Sequence, residues 1–327
     1  MKADELKMTF LEGSKRGLEL LKVDLKNALN CNGNKVNVAL IEKYLAKIDQ
    51  KEKMFLTQTE SSININEIDI SELETDITLL LGDVVLNNKD EDNLYSNLKE
   101  IFYDCGYYLV FYQANILETP EYTIFPEVIF VGLPTRILHD RKYFPLVLHE
   151  AGHKILKDAS FADFRAAIKS KVESLEEKAF HSSNLDKVNQ RLLNSARYYE
   201  RVSEPWLSEL TSDIFGAYMT GLNYVEAFVL YQLNKRYFES IDDHPTNKVR
   251  YMYLISYLSK TEPFLNSSAD FSSLLNSDYK ADKKSKLFTE QQYQELILGG
   301  FEQEIHNRIC LQEIKSKIRD LVKSKLN

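Results

Sequence analysis

The chain has 327 residues, a formal net charge of −8, and 44% hydrophobic against 28% charged residues. That length can bury a sizeable core, in one large domain or two modest ones, and the composition is that of an ordinary globular protein. The acidic balance argues against broad attraction to nucleic acid or to an anionic membrane surface; the local cluster Lys280, Lys283, Lys284 and Lys286 reads first as a solvated linker.

The N-terminal segment Met1–Lys7 lacks an apolar run followed by a small-residue cleavage site. The longest apolar runs, such as Val128–Leu133, are too short to span a bilayer. Cys31, Cys105 and Cys310 are widely separated and odd in number, so they suggest neither a disulfide framework nor a thiolate metal site. A cytoplasmic protein without membrane insertion is expected.

Residues 3–30 carry Leu6, Phe10, Leu11, Leu18, Leu21, Leu25 and Leu29 at helical spacing, and a second helix is expected over 36–56. Residues 61–70 alternate only in fragments and suggest an irregular or edge strand. Helical patterns return at 71–81 and 91–104. Tyr107–Tyr112 and Val128–Val131 are short β-branched and aromatic runs bounded by Gly106, Pro126 and Gly132, and read as strands. Beyond Pro134 the pattern predicts helices at 143–157, 161–180, 184–201, 205–220, 223–238, 246–259 and 289–325, with a polar loop at 260–285. The outline is a mainly α (α+β) protein with a small sheet just before the helix at 143–157. Its expected parts are a helical N-terminal region 1–105, a core 106–260, and a linker with a C-terminal helix, 261–327.

The chemistry concentrates in His149-Glu150-Ala151-Gly152-His153. On a helix, residues four apart differ by about 40° and project from one face. Two imidazoles so placed can hold one tetrahedral zinc, and Glu150 is within reach of a water that the metal acidifies to a pKa near 7. A His-Glu-x-x-His pattern arises by chance in roughly one such sequence in a hundred. Here it lies in an apolar helix with Pro145 near its start, and the competing reading is two merely packed or surface histidines. Gly152 costs such a helix about 1 kcal/mol relative to alanine, which points to a close approach at that position.

Glu209, Asp213 and Gly216 form an i, i+4, i+7 stripe on a later helix. Alone, Glu209 would read as a solvent-facing carboxylate; with Asp213 and Gly216 after the histidine helix it reads as the third zinc ligand. Asp213 would accept a hydrogen bond from the second nitrogen of a ligand histidine, fixing its tautomer, and Gly216 would let this helix pass close to the motif helix. His244 precedes Pro245 and a helix bearing Arg250. His244 could donate to the oxyanion of a tetrahedral intermediate, and Arg250 could hold the carboxylates of the site. The alternative is a plain helix-start histidine with a surface arginine, and the residues alone leave the two open.

His149–His153, then Glu209-Leu-x-x-Asp213-x-x-Gly216, then His244-Pro245-x-x-x-x-Arg250 resembles the gluzincin metallopeptidases of the HtpX and CAAX-prenyl-protease group. The resemblance covers about 128–251. It implies a zincin-like core and a zinc ion held by His149, His153 and Glu209. Glu150 would be the general base, with His244 and Arg250 close by. Ser212 stands where a smaller alanine is usual, Thr246 where a second proline is common, and the transmembrane helices of the best-known members are missing.

The expected function is zinc-dependent peptide-bond hydrolysis, with a water activated by Glu150 and the substrate added as an extra strand beside Val128–Val131. Two other readings are a regulatory or interaction protein with a structural zinc site, and a latent protease specific to one partner in stress or defence signalling. A protein or peptide substrate is implied and no nucleic acid, and residues 1–105 are where a regulatory partner would dock. His139, His181 and His306 read as surface histidines, and Tyr103, Tyr107, Tyr108, Phe111 and Tyr112 as core or interface packing. Tyr218, two residues past Gly216, stays open as a transition-state donor.

Overall fold

A computed structural model describes residues 3–31, 34–57, 64, 69–87, 93–120, 123–157, 159–181, 187–234, 245, 247–261, 292 and 294–326. Among these residues the protein is mainly α, with one small parallel sheet of two strands. It forms two compact units, Met1–Leu138 and His139–Asn327.

In the first unit, α1 (Ala3–Cys31) and α2 (Lys35–Leu56) form an antiparallel pair. Leu11, Leu18, Leu21 and Leu25 share a core with Leu40, Ile41, Tyr44 and Ile48. Asn34 caps α2, its side chain accepting from the backbone N–H groups of Val36 and Asn37. α3 (Ser71–Asn87) and α4 (Leu94–Tyr103) pack against β1 (Tyr108–Gln113), which pairs with β2 (Val128–Leu133) from Tyr108↔Val128 to Gln113↔Leu133. Gly106, at φ 85°, supplies the left-handed turn between α4 and β1.

A buried polar knot holds these elements together. Lys99 of α4 and Asp83 of α3 are both fully buried, and Lys99 Nζ donates to Asp83 Oδ1 at 2.6 Å. Asp83 also accepts from Asn37 Nδ2 at 2.9 Å and from the backbone N–H of Phe111 at 2.8 Å. One carboxylate therefore ties α2, α3, α4 and β1 together.

The sheet lies within the Met1–Leu138 unit, where α3 and α4 cover β1. An extra strand beside Val128–Val131 is ruled out for this conformation. All six residues of β2 are buried, and Gly132 makes an antiparallel bridge with Glu118. On β1, the outward N–H of Phe111 is already taken by Asp83. The strand expected within 61–70 and the loop at 260–285 lie almost wholly outside the described residues.

The second unit is built around α8 (Lys187–Thr220). A 3-10 turn (Arg141–Leu146), capped by Asp140, leads into α6 (Val147–Ile155), so Pro145 sits in that turn rather than in the first turn of the motif helix. α5 (Thr135–His139) closes the first unit at the boundary, and in the second unit α7 (Ala162–Phe180), α9 (Leu222–Asn234) and α10 (Asn247–Thr261) follow. A π turn (Gln294–Leu298), α11 (Gly299–Asn307) and α12 (Cys310–Leu326) complete the unit, in place of one continuous helix over 289–325. The chain breaks at Arg308, which pairs with Glu304 and turns back to the carbonyl of Ile305.

Two helices expected on either side of Pro205 are in fact one. Proline removes a backbone donor, but Pro205 and Arg201, one turn earlier, are both exposed, so the interruption faces solvent. Val202, Trp206, Leu207 and Leu210 are buried and keep the axis continuous. From Glu209 to Thr220 every residue of α8 is buried, because α6, α7, α9, α10 and α12 all pack on this helix. Among the described residues, no helix is long and apolar enough to cross a membrane.

Candidate metal centre

α6 buries Val147, Leu148, Ala151 and Ile155, and this fixes its orientation. One turn apart on it, His149 and His153 bring their Nε2 atoms to 3.0 Å from each other. Glu209 of α8 closes a triangle, with Oε2 3.4 Å from His149 Nε2 and Oε1 3.3 Å from His153 Nε2. Donor atoms about 2.0–2.1 Å from a tetrahedral zinc stand about 3.3 Å apart. The donor set fits such an ion, and among the described residues it is the one group of three or more side chains that could hold a metal.

The second nitrogens are held as well. His149 Nδ1 lies 2.9 Å from Asp213 Oδ1, and His153 Nδ1 lies 2.8 Å from Ser208 Oγ. Each imidazole thus spends Nδ1 on the protein and turns Nε2 toward the centre, the arrangement that orients ligating histidines. Arg250, buried, donates to Asp213 through Nε (2.7 Å) and Nη2 (2.8 Å), and its Nη1 lies 3.1 Å from Glu209 Oε2. That burial removes the surface-arginine alternative. Glu150, next to His149 on α6, is also buried.

The charges are strongly coupled. Burial opposes a proton on His149, but the carboxylates of Asp213 and Glu209 outweigh it and push its pKa up to about 10. Burial likewise opposes the charge on Asp213, yet Arg250 and His149 hold its pKa down at about 2. Without metal, His149 is therefore an imidazolium at neutral pH, and ligation requires it neutral. Metal binding is expected to release about one proton, so apparent affinity rises roughly tenfold per pH unit below pH 10. Calorimetry in buffers of different ionisation enthalpy checks this; a buffer-independent heat would contradict it. The same raised pKa stabilises the metal-free fold fully below the ordinary imidazole value of 6.5, and that contribution is lost as pH rises through about 10.

The close approach of α6 and α8 occurs at Gly152. A Cβ there would lie 3.2 Å from the Ser212 Cα and 3.1 Å from the Phe215 ring. Gly216, expected to serve that contact, points elsewhere: its Cβ would lie 2.3 Å from the Tyr224 ring of α9. Gly216 lies one turn beyond Ser212, and the space its missing side chain leaves is taken by Tyr224 rather than by α6. Ser212 itself is fully buried, and its hydroxyl has no hydrogen-bond partner among the described residues. An orphaned buried hydroxyl costs about 1–3 kcal/mol. Ser212→Ala is expected to raise unfolding stability by about 1 kcal/mol with metal content unchanged; a loss of stability in urea titrations would show the hydroxyl to be satisfied.

Arg250 reaches the centre, while His244 and Thr246 lie outside the described residues. Tyr218 is buried against Phe301, with Lys315 above its ring, and so belongs to the packing around α11 and α12. The sequence reading missed two groups, Ser208 and Tyr224. Ser208 directly precedes Glu209, but a lone exposed serine carries no signal. Tyr224 donates from its hydroxyl to Asp213 Oδ1 at 2.6 Å, and the only hint was Gly221, a stop that turns the chain back along α8.

No protein-family model, curated protein or solved structure matches the chain.

Proposed function

We propose that the protein is a zinc-dependent peptidase of the gluzincin kind, the group its motifs resemble. The observation that supports this most is the triangle of His149, His153 and Glu209, with spacings that fit a tetrahedral ion and with both Nδ1 atoms held by protein groups. A zinc ion there would polarise a peptide carbonyl and let water ionise near neutral pH. Glu150 takes the proton of the attacking water and returns it to the leaving amine. Asp213 and Arg250 keep His149 and Glu209 in place, and His244 is assigned the oxyanion. The substrate is a protein or peptide, approaching from the side of His153. That side chain is 22% exposed, against 7% for His149 and 10% for Glu209. A cytoplasmic setting goes with this reading.

That depth also favours a narrower version. A site so covered suits a latent enzyme that opens on one partner, with the helices of residues 1–105 as the docking place. A closed structural centre is the competing reading. It needs a fourth protein ligand, and among the described residues no further His, Cys, Asp or Glu joins the three.

The test compares wild type with Glu150→Gln for zinc content and for cleavage of unfolded proteins and proteome-derived peptides. Zinc near one per chain in both, with cleavage lost only in the variant, is expected. Retained cleavage in Glu150→Gln would sink its role as base; bound zinc without cleavage in either leaves the latent enzyme and the structural centre, which an inhibitor binding to the zinc, and so an open coordination position, separates.

A further inference from the structure

We infer that Tyr224 is a positioning residue of the centre: its hydroxyl fixes which nitrogen of His149 carries the proton and so leaves Nε2 to the metal. This rests on the metal-centre reading above and adds to it a residue that lies outside all three motifs.

Tyr224 is fully buried on α9. Its O–H donates to Asp213 Oδ1 at 2.6 Å, and its oxygen is 3.1 Å from His149 Nδ1. Asp213 is a crowded acceptor. Oδ1 also meets Arg250 Nη2 at 2.8 Å and His149 Nδ1 at 2.9 Å, and Oδ2 meets Arg250 Nε at 2.7 Å. A carboxylate has about four acceptor sites and nothing to give, so every group facing it must donate.

The phenol spends its single proton on Asp213 and has only lone pairs left for His149. Nδ1 of His149 therefore faces two acceptors, Asp213 Oδ1 and the Tyr224 oxygen, and must carry hydrogen. In the neutral imidazole this leaves the lone pair on Nε2, the atom turned toward His153 and Glu209. Asp213 alone would favour the same tautomer; Tyr224 adds the second acceptor and holds the carboxylate oxygen against rotation.

The sequence builds this contact deliberately. α8 ends at Gly221, whose φ of 64° sends the chain back into α9. Three residues on, the Tyr224 ring packs against α8 at Gly216, in space that any Cβ would fill. Phe228 stacks on the same ring one turn later, at 6.5 Å and 21°.

The test measures zinc affinity by chelator competition and the visible spectrum of the cobalt-substituted protein. Tyr224→Phe keeps the ring and removes only the hydroxyl, and is expected to weaken zinc binding by about tenfold and to alter the cobalt absorption envelope. Gly216→Ala displaces the ring while keeping every polar group, and offers a second route to the same readouts. It should weaken binding at least as much, and the double variant should lose little more. A wild type that binds zinc, with unchanged affinity and cobalt spectrum in either folded variant, overturns the role of Tyr224 alone. A wild type that binds no divalent metal overturns the metal-centre reading instead.

Discussion

Arg250→Met is expected to cost about 3–5 kcal/mol of folding stability in the metal-free protein, and zinc is expected to recover part of it. Arg250, like His149, meets both Asp213 and Glu209, and it alone carries a charge that does not titrate near neutral pH. Methionine fills much the same volume, so the loss would report charge rather than a cavity. Two carboxylates would then face each other with only a protonated His149 between them. A divalent ion supplies the missing positive charge, so the variant should depend on metal far more than wild type does. The loss should also shrink in acid. Asp213, held at about 2 by Arg250 and His149, would lose the first of these partners and take up a proton at higher pH. Thermal melts with zinc and with chelator, at pH 5 and pH 8, check all three points. Equal melts for variant and wild type in chelator would show that the ion pairs contribute nothing.

Lys99→Met is the second large effect, again about 3–5 kcal/mol, and it falls in the other unit. Lys99 and Asp83 are both wholly removed from water. In many proteins a buried pair can be exchanged for apolar residues without loss. Here the double variant Lys99→Met/Asp83→Leu should fail to recover the stability, because Asp83 also accepts from the Phe111 N–H and from Asn37. Those donors would stay buried and unpaired. Urea unfolding of the single and double variants decides the matter; a double variant as stable as wild type would reduce the knot to a simple ion pair.

How far the sequence reveals these features depends on how local each one is. His149 and His153 are legible because a helix brings residues four apart onto one face, and Glu209 with Asp213 follows the same rule. The helices of the first unit are legible from their leucine spacing. Contacts that need a third element are not. Tyr224 meets Asp213 only because α9 folds back along α8 at Gly221, and no period in the sequence encodes that return. Gly216 was legible as a close contact but not as a contact with Tyr224. Pro205 misled because local preference says that a helix stops there, while the buried residues on either side carry it through. The buried state of β2 was out of reach for the same reason: a short apolar run reads alike whether its edges are open or closed.

Those closed edges matter beyond the folded chain. A two-stranded sheet has no interior strand, so both of its strands are edges, and an open edge is a template on which another copy can pair and aggregate. Here a side-chain carboxylate occupies the outward N–H of Phe111, and the Glu118–Gly132 bridge lies along the other side. Asp83 thus closes part of that edge as well as anchoring the elements around it. Variants that loosen its knot should show their damage first as turbidity and dye-binding β-aggregates, before any loss of helix is visible.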